Sequence, residues 1–543
     1  MPPTASNGDL NPVYEMMSTE GNTLRNISPT ESIEPTIELL SGPVTYRAAI
    51  KNDNNLVHEA EYVASTASFN TQLWEGRWTI EHLTRHHLGL HEQNVCVVAP
   101  MCHWIRGSFN VCIPIEVQSP NACRKLLMRC AMPYKLGEAK NPGSIDEKMS
   151  CEVGTYAWIQ DRCPDIRIPY LYGFGFSDHR QFTHAASRSW YIRVMHWARR
   201  QMRSLVANPN LLSSYTSHPS NHHLPTAYML LEHVGSDTSQ MLSNTFHQRR
   251  GDLDRRRRLF RGIARIILSL ARIPQPRIGS FRFHNDSSIT LTNRPLHCTM
   301  MILENDGTPR TIPTNETYSC TEPFVADMLA FHDRRFLSYP NAIYDDKDCR
   351  GEMAAKVMLR ALAHRYIRQS ERNGPFFLQL SDLHPSNIFV DDQWNVTCLI
   401  DLEWVCALPR EMFAAPHWLT GRAIDGVRNG LSEFSAVHAE FLEIFEDEEK
   451  TVNAGNSASL TSSIRESWES GGVWFWHSIM STNAMYPLFT HHIRPRFLSE
   501  RLLFREEGLL SKFWSEDADK VVESKVQEHE QYKGELASLF NIS

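Results

Sequence analysis

The chain has 543 residues, 42% of them apolar, and its 55 Lys and Arg against 62 Asp and Glu leave a formal charge of −7. That is enough apolar material for one large two-lobed domain or two ordinary ones, and the acidic balance excludes a protein built to coat nucleic acid. The 12 cysteines include no Cys-x-x-Cys pair, which fits reduced thiols better than a zinc site or a disulfide framework.

Residues 1–43 are polar, rich in Ser, Thr, Asn, Glu and Pro, and read as a disordered or loosely attached arm. The opening Met1-Pro2-Pro3-Thr4-Ala5 has neither the basic region and apolar run of a secretory signal nor the Arg-rich character of a transit peptide. The most apolar helix-like stretch, Leu259 to Ile273, is broken by Arg261, Arg265 and Arg272 and is too short to span a bilayer. The expected address is cytoplasmic, with no membrane and no nucleic-acid partner.

Residues 60–234 read as a small strand-rich lobe. Apolar runs at Val95 to Val98, Val111 to Val117, Leu126 to Met132 and Tyr228 to Glu232 predict antiparallel strands. Ser144-Ile145-Asp146-Glu147 opens a helix with a capping-box pattern, and Met149, Val153 and Tyr156 continue it at helical spacing. A helical insertion at about 177–227 holds a basic, aromatic helix around Ser187 to Leu205 with Arg188, Arg193, Arg199, Arg200 and Arg203. It reads as a solvated face or as a site for an anionic partner. From 235 to 543 long amphipathic helices take over, among them Asp252 to Ile273, Met353 to Gln369, Leu431 to Phe445 and Ser515 to Ser538. The expected fold class is α+β and bilobal: a small antiparallel-sheet N-lobe, a large mostly helical C-lobe, and a ligand cleft between them.

One hairpin interrupts those helices, within 380–404. If Ile388 to Val390 pairs with Val396 to Ile400 across the Asp391 to Asn395 turn, Asn387 falls opposite Ile400 or Asp401. Cross-strand neighbours lie roughly 5 Å apart, so an amide oxygen and a carboxylate can converge on one cation. Such oxygen donors suit Mg²⁺, which shares its shell with substrate phosphates. Asp382, at the mouth of the hairpin, can then orient an incoming hydroxyl or amine toward a phosphoryl group. The bland alternative is an ordinary hairpin with Asp and Asn as turn formers.

Asp382 and Asn387 reproduce the D-x-x-x-x-N spacing of kinase catalytic loops, and Ile400-Asp401-Leu402-Glu403-Trp404 resembles the second metal motif of the aminoglycoside phosphotransferase (choline-kinase-like) family, with the fungal branch nearest. The resemblance covers roughly Trp104 to Arg422. It implies a protein-kinase-like fold, Asp382 as catalytic base, and Asn387 and Asp401 as Mg²⁺ ligands. The family loop usually reads His-Gly-Asp, whereas this chain has Leu380-Ser381-Asp382.

A kinase-like lobe also needs a covering loop, a cation on the phosphates, a carboxylate to orient it and a hinge for adenine. Gly107, Ser108 and Phe109 are the loop candidates, although a hairpin turn explains Gly107 equally well. Arg129 stands where the family has a lysine; it keeps the charge but is a larger, less adjustable fork. An ordinary surface Arg is the alternative. Glu152, beside the Met149, Val153 and Tyr156 stripe, is the expected partner of Arg129, while Glu147 reads as the capping-box carboxylate. Tyr228 to Gly235 resembles the family hinge, which implies that Glu232, His233 and Val234 meet adenine through backbone groups.

The implied activity is transfer of the ATP γ-phosphate to a hydroxyl or amine of an unidentified small molecule. A protein substrate is the weaker variant, since no Ala-Pro-Glu motif follows the metal motif. The alternative function is a weak or inactive pseudokinase serving as a nucleotide-binding interaction module, favoured by Arg129 and the missing His-Gly pair. Oligomeric state is not legible.

Overall fold

The computed structural model describes residues 34–90, 93–119, 122–205, 211–236, 238–452, 459–497 and 503–542. Most of the arm read at 1–43 lies outside them. Its last part is ordered: Thr36–Leu39 and Gly42–Thr45 pair as an antiparallel hairpin. All 12 cysteines are free thiols.

The centre of the first half is one antiparallel sheet. Its strands run, in spatial order, Tyr215–Ser217, Gln181–His184, Leu171–Gly175, Tyr228–Glu232, Ala122–Ala131, Asn110–Ser119 and Val95–Val98, with Ile105–Arg106 also pairing to Asn110–Ser119. Strand alternation sorts the side chains. Val111, Ile113, Ile115 and Val117, with Leu126, Met128 and Cys130 on the next strand, pack on one face against Phe69, Leu73, Ile80 and Leu83. Those last four belong to the helices Leu56–Glu75 and Arg77–Leu88. The second helix stops at Gly89, whose φ of +62° suits a residue without a Cβ.

The other face of the sheet meets the helix Ser144–Arg162, in which 15 residues are buried, so it is surrounded rather than striped. Its start corrects the capping-box reading. The N-cap is Gly143, with φ of +90°, and no side chain caps from that position. Glu138, five residues upstream, accepts from the Gly143 and Ile145 amides at 2.7 and 2.8 Å. Glu147 therefore has a different partner. It is buried and takes the fully buried Arg294 guanidinium at 2.8 Å, which also pairs with Glu304.

The region read as a helical insertion contributes more than its helix Trp190–Leu205, because Gln181–His184 and Tyr215–Ser217 extend the main sheet. Beyond it come the helices Leu253–Ala271, Thr321–Ser338, Asp346–Tyr366, Leu431–Val452 and Ala518–Leu539. One hydrophobic core runs without a break from Phe174, Met229 and Leu231 on the sheet to Leu259, Phe324, Met353 and Phe441 on those helices. A small separate cluster joins Leu39, Ala49 and Leu56 to Tyr532, Leu536 and Phe540. The architecture is α+β, with its sheets antiparallel. Among the described residues no helix is long and apolar enough to cross a membrane.

Candidate active site

The hairpin that carries Asn387 and Asp401 is anchored at both ends. Ile388–Val390 pairs with Val396–Leu399 in the register Ile388 to Leu399 and Phe389 to Cys398. The Ile400 amide then donates to the Asn387 carbonyl at 2.9 Å, which sets Asn387 opposite Ile400. At the turn, Asp391 accepts from the Gln393 and Asn395 amides, while Trp394 is buried and stacks on Phe246. A second pair of strands, Phe377–Leu380 with Val405–Leu408, matches Leu380 to Val405. Ser381 donates through both its amide and its hydroxyl to the Trp404 carbonyl, at 3.1 and 2.6 Å. The loop bearing Asp382 is thus tied to the segment bearing Asp401 and Glu403 by Ser381.

Within this frame Asn387 is buried and donates its side-chain amide to the Asp382 carbonyl at 2.9 Å. Its amide oxygen has no hydrogen-bond partner among the described residues, so the hard-oxygen end of the group is the available one. Asp401 has a φ of +60°, a left-handed conformation that Asp tolerates better than most side chains and that still costs about 1 kcal/mol. Burial, with the Asp401 and Glu403 carboxylates adding to it, pushes the Asp382 carboxyl up to about 8. Burial likewise raises Asp401, against the opposing pull of Arg129.

Beneath these groups lies a network of buried charges. Arg129, on the strand Ala122–Ala131, pairs with Glu152 and reaches Asp401 Oδ1 at 2.7 Å and Glu403 Oε2 at 3.2 Å. Lys148, one helical turn before Glu152, is wholly buried and holds Glu152 at 3.0 Å, Glu403, and the Asn110 side-chain oxygen at 2.8 Å. Asn110 also donates to Glu403 at 3.0 Å. Burial alone would raise the Glu403 carboxyl, but the Lys148 and Arg129 cations outweigh it and hold that group below its ordinary range. Three carboxylates thus face two cations, and the uncompensated negative charge lies next to Asp382.

Sequence reasoning missed Lys148, Glu403 and Asn110. Glu403 lies within the metal motif but had no role there, and Lys148 follows Glu147 in a stretch read as a cap. The available signal was the i, i+4 spacing of Lys148 and Glu152, which puts both on one helix face.

The remaining expected residues lie around this network in different ways. The Gly107 amide donates to the Asn110 carbonyl at 2.8 Å and closes a turn between two strands, so that N–H is already used. Ser108 is half-buried. Phe109 is buried and meets Trp404 edge to face, with ring centres 5.0 Å apart. In the segment expected as a hinge the Glu232 amide donates to the Tyr170 carbonyl at 2.9 Å and the His233 amide to the Lys125 carbonyl at 3.4 Å. The Glu232 carboxylate takes Arg167 at 2.6 Å and the Tyr170 amide at 2.9 Å. Of the three hinge amides, only that of Val234 has no partner among the described residues. Arg167 also accepts from the Leu399 amide at 2.9 Å through its carbonyl, which links the hinge segment to the hairpin.

Asp382, Asn387 and Asp401 share one small cavity with Leu383, Trp404 and Val405, about 10 Å³ in volume, room for about one water. Glu152, Asp401 and Glu403 each offer an oxygen within 4.8 Å of the others. Arg129 and Lys148 already engage all three of those groups. Asn387 and Asp401, with a free amide oxygen and a carboxylate only partly used, are the better match to a hard divalent ion.

No protein-family model matches the chain, and no curated protein matches it. Among solved structures it is similar to an ethanolamine kinase of Plasmodium vivax, at 13% identity over 78% of this chain and 82% of that one, with a TM-score of 0.34. It is also similar to a macrolide 2′-phosphotransferase type I, at 12% identity over 77% of this chain and 95% of that one, with a TM-score of 0.30. Likenesses at those TM-scores assign neither a fold nor an activity.

Proposed function

We propose that this chain is a phosphotransferase of the protein-kinase-like, aminoglycoside-phosphotransferase-like kind, moving the γ-phosphate of ATP to a hydroxyl or amine of a small molecule. The observation that carries the reading is the convergence of Asp382, Asn387 and Asp401 on one cavity above the Arg129, Lys148, Glu152 and Glu403 network. Residues 60–234 form the nucleotide lobe in this reading and 235–543 the acceptor lobe, with the hinge at Glu232, His233 and Val234.

Asp382 accepts the proton of the acceptor hydroxyl or amine as the new bond to phosphorus forms and the bond to the β-phosphate oxygen breaks. Asn387 and Asp401 would hold Mg²⁺, which when bound supplies positive charge against the phosphates. Arg129 is the cation nearest to those ligands, Glu152 orients it, and the turn at Gly107, Ser108 and Phe109 covers the site. A metal at Asp401 would compete with the Arg129–Asp401 ion pair.

The second reading, an inactive nucleotide-binding module, is favoured by that same Arg129–Asp401 pair, which occupies an oxygen the metal needs. A phosphate-transfer assay with Mg-ATP and a panel of small hydroxyl and amine acceptors separates the two. We expect turnover by the wild type and a loss of about 10²- to 10⁴-fold in Asp382→Ala. Turnover that survives the substitution would remove Asp382 from its role, and ATP binding without turnover on any acceptor would favour the second reading.

A further inference from the structure

The helix Trp190–Leu205 is amphipathic and is mounted with its polar side inward. His196 meets the Ser213 carbonyl at 2.8 Å, Arg200 holds Ser214 Oγ at 2.8 Å and pairs with Asp161, and Arg203 pairs with Asp286 at 2.8 Å. The apolar side faces out. Trp190 is 75% exposed, Met195 66%, Trp197 62% and Met202 61%, with Tyr191 and Val194 more than half exposed as well. At 100° per residue these six fall within one arc of about 160°, which the exposed Gln201 shares. Arg193 and Arg199, both exposed, stand at its two edges. Scattered exposed apolar residues carry no message, whereas a contiguous patch of this kind marks a binding surface. Arg200 and Arg203 bind the body of the protein, while the outward face is largely aromatic and apolar with Arg193 and Arg199 beside it.

Charge decides what can cover it. The helix contains no Asp or Glu. A second copy laid face to face would set Arg193 and Arg199 against the same arginines without a carboxylate on either helix to pair them, a repulsive arrangement. An anionic lipid surface has the complementary composition. Trp and Tyr settle at the headgroup level, Met and Val reach the acyl boundary, and the edge arginines bury their stems while pairing with lipid phosphates.

We propose that this face docks the protein on an anionic membrane surface, lying in the interface without crossing it. The inference is independent of the phosphotransferase reading and replaces the expectation of no membrane partner.

Co-sedimentation of the full chain with vesicles tests it, using phosphatidylcholine alone and phosphatidylcholine with about 30% phosphatidylserine. The expected result is binding to the mixed vesicles, at least about tenfold weaker to the neutral ones and weaker in about 0.5 M than in about 0.1 M salt. Trp190→Ala combined with Trp197→Ala should lower it about tenfold, and Arg193→Gln combined with Arg199→Gln should remove the preference for phosphatidylserine. Circular dichroism and melting temperature should stay at wild-type values in both variants, because the altered side chains face solvent. Failure to bind either vesicle, or binding that both double variants retain, would overturn the proposal. So would a solution dimer that the tryptophan variant splits, since a second copy would then be the occupant.

Discussion

Lys148 is the residue on which the candidate site depends most and which the sequence showed least. A lysine four residues before a glutamate is ordinarily a surface pair worth a few tenths of a kcal/mol. Here both are wholly buried, and Lys148 shares Glu152 and Glu403 with Arg129 while also holding Asn110, so removing one partner strands charge in the interior. Lys148→Met is expected to lower stability by about 3–5 kcal/mol in chemical denaturation. Adding Glu403→Gln should recover part of that loss, a non-additivity that a double-mutant cycle measures directly. Additive effects would mean the two groups act separately. Asp382, Asn387 and Asp401 were legible because their relation is local: a five-residue turn and strand pairing set it. Arg129, Lys148 and Glu403 come from a strand, a helix and a loop far apart in the chain, and only tertiary packing makes them neighbours.

At the scale of elements, the hairpin of the candidate site is held by what packs behind it. A Cβ added at Gly262, within Leu253–Ala271, would lie 2.5 Å from Val396 Cγ2 on the hairpin. Gly262→Val is therefore expected to destabilise by about 1–3 kcal/mol and, by displacing the strand that leads to Asp401, to lower turnover more than a surface substitution of equal cost. Wild-type activity in a folded variant would show that the hairpin tolerates the shift.

The helix Asp346–Tyr366 offers a pH test away from the site. Burial, with Glu352 and Asp345 nearby, pushes the Asp348 carboxyl in its first turn up to about 6, against about 4 in an unfolded chain. Between those values the folded form binds more protons than the unfolded one, so stability falls as pH rises through the window and the full penalty stands above it. Asp348→Asn should then melt about 2 °C higher than wild type at pH 8 and show no gain at pH 4. An equal gain at both would assign the effect to something other than ionisation.

Element-level legibility followed the same division. Strands with clean alternation, such as Val111 to Val117, were readable. Leu56–Glu75 was not, because its buried face mixes Thr66 and Tyr62 with Leu73 and Phe69 and so carries a thin apolar signal. The capping box failed because a glycine in a left-handed turn and a glutamate further upstream took over the helix start.

For the molecule as a whole, nucleotide binding has a consequence that needs no acceptor. A ligand at 100 times its Kd stabilises the form it binds by about 2.7 kcal/mol, and millimolar Mg-ATP is expected to raise the melting temperature of the wild type measurably. Asp382→Ala should keep that shift, since its role begins with the acceptor, whereas Asp401→Ala should lose it. No shift in the wild type would count against both the active and the inactive kinase readings. The α+β character of the molecule was legible from the change of pattern near residue 235, while the continuous core beneath the sheet was not, because its contacts join residues hundreds of positions apart.

The cluster that joins the early hairpin to the last helix sets a timetable. The Leu56 amide donates to the Tyr532 hydroxyl at 3.1 Å, and the two residues are 476 positions apart. At about 5–20 residues per second a ribosome needs roughly 25–95 s to travel between them. For that interval Leu39, Ala49 and Leu56 have been made and their cover has not, so the nascent chain carries an apolar patch for chaperones until Tyr532, Leu536 and Phe540 are added.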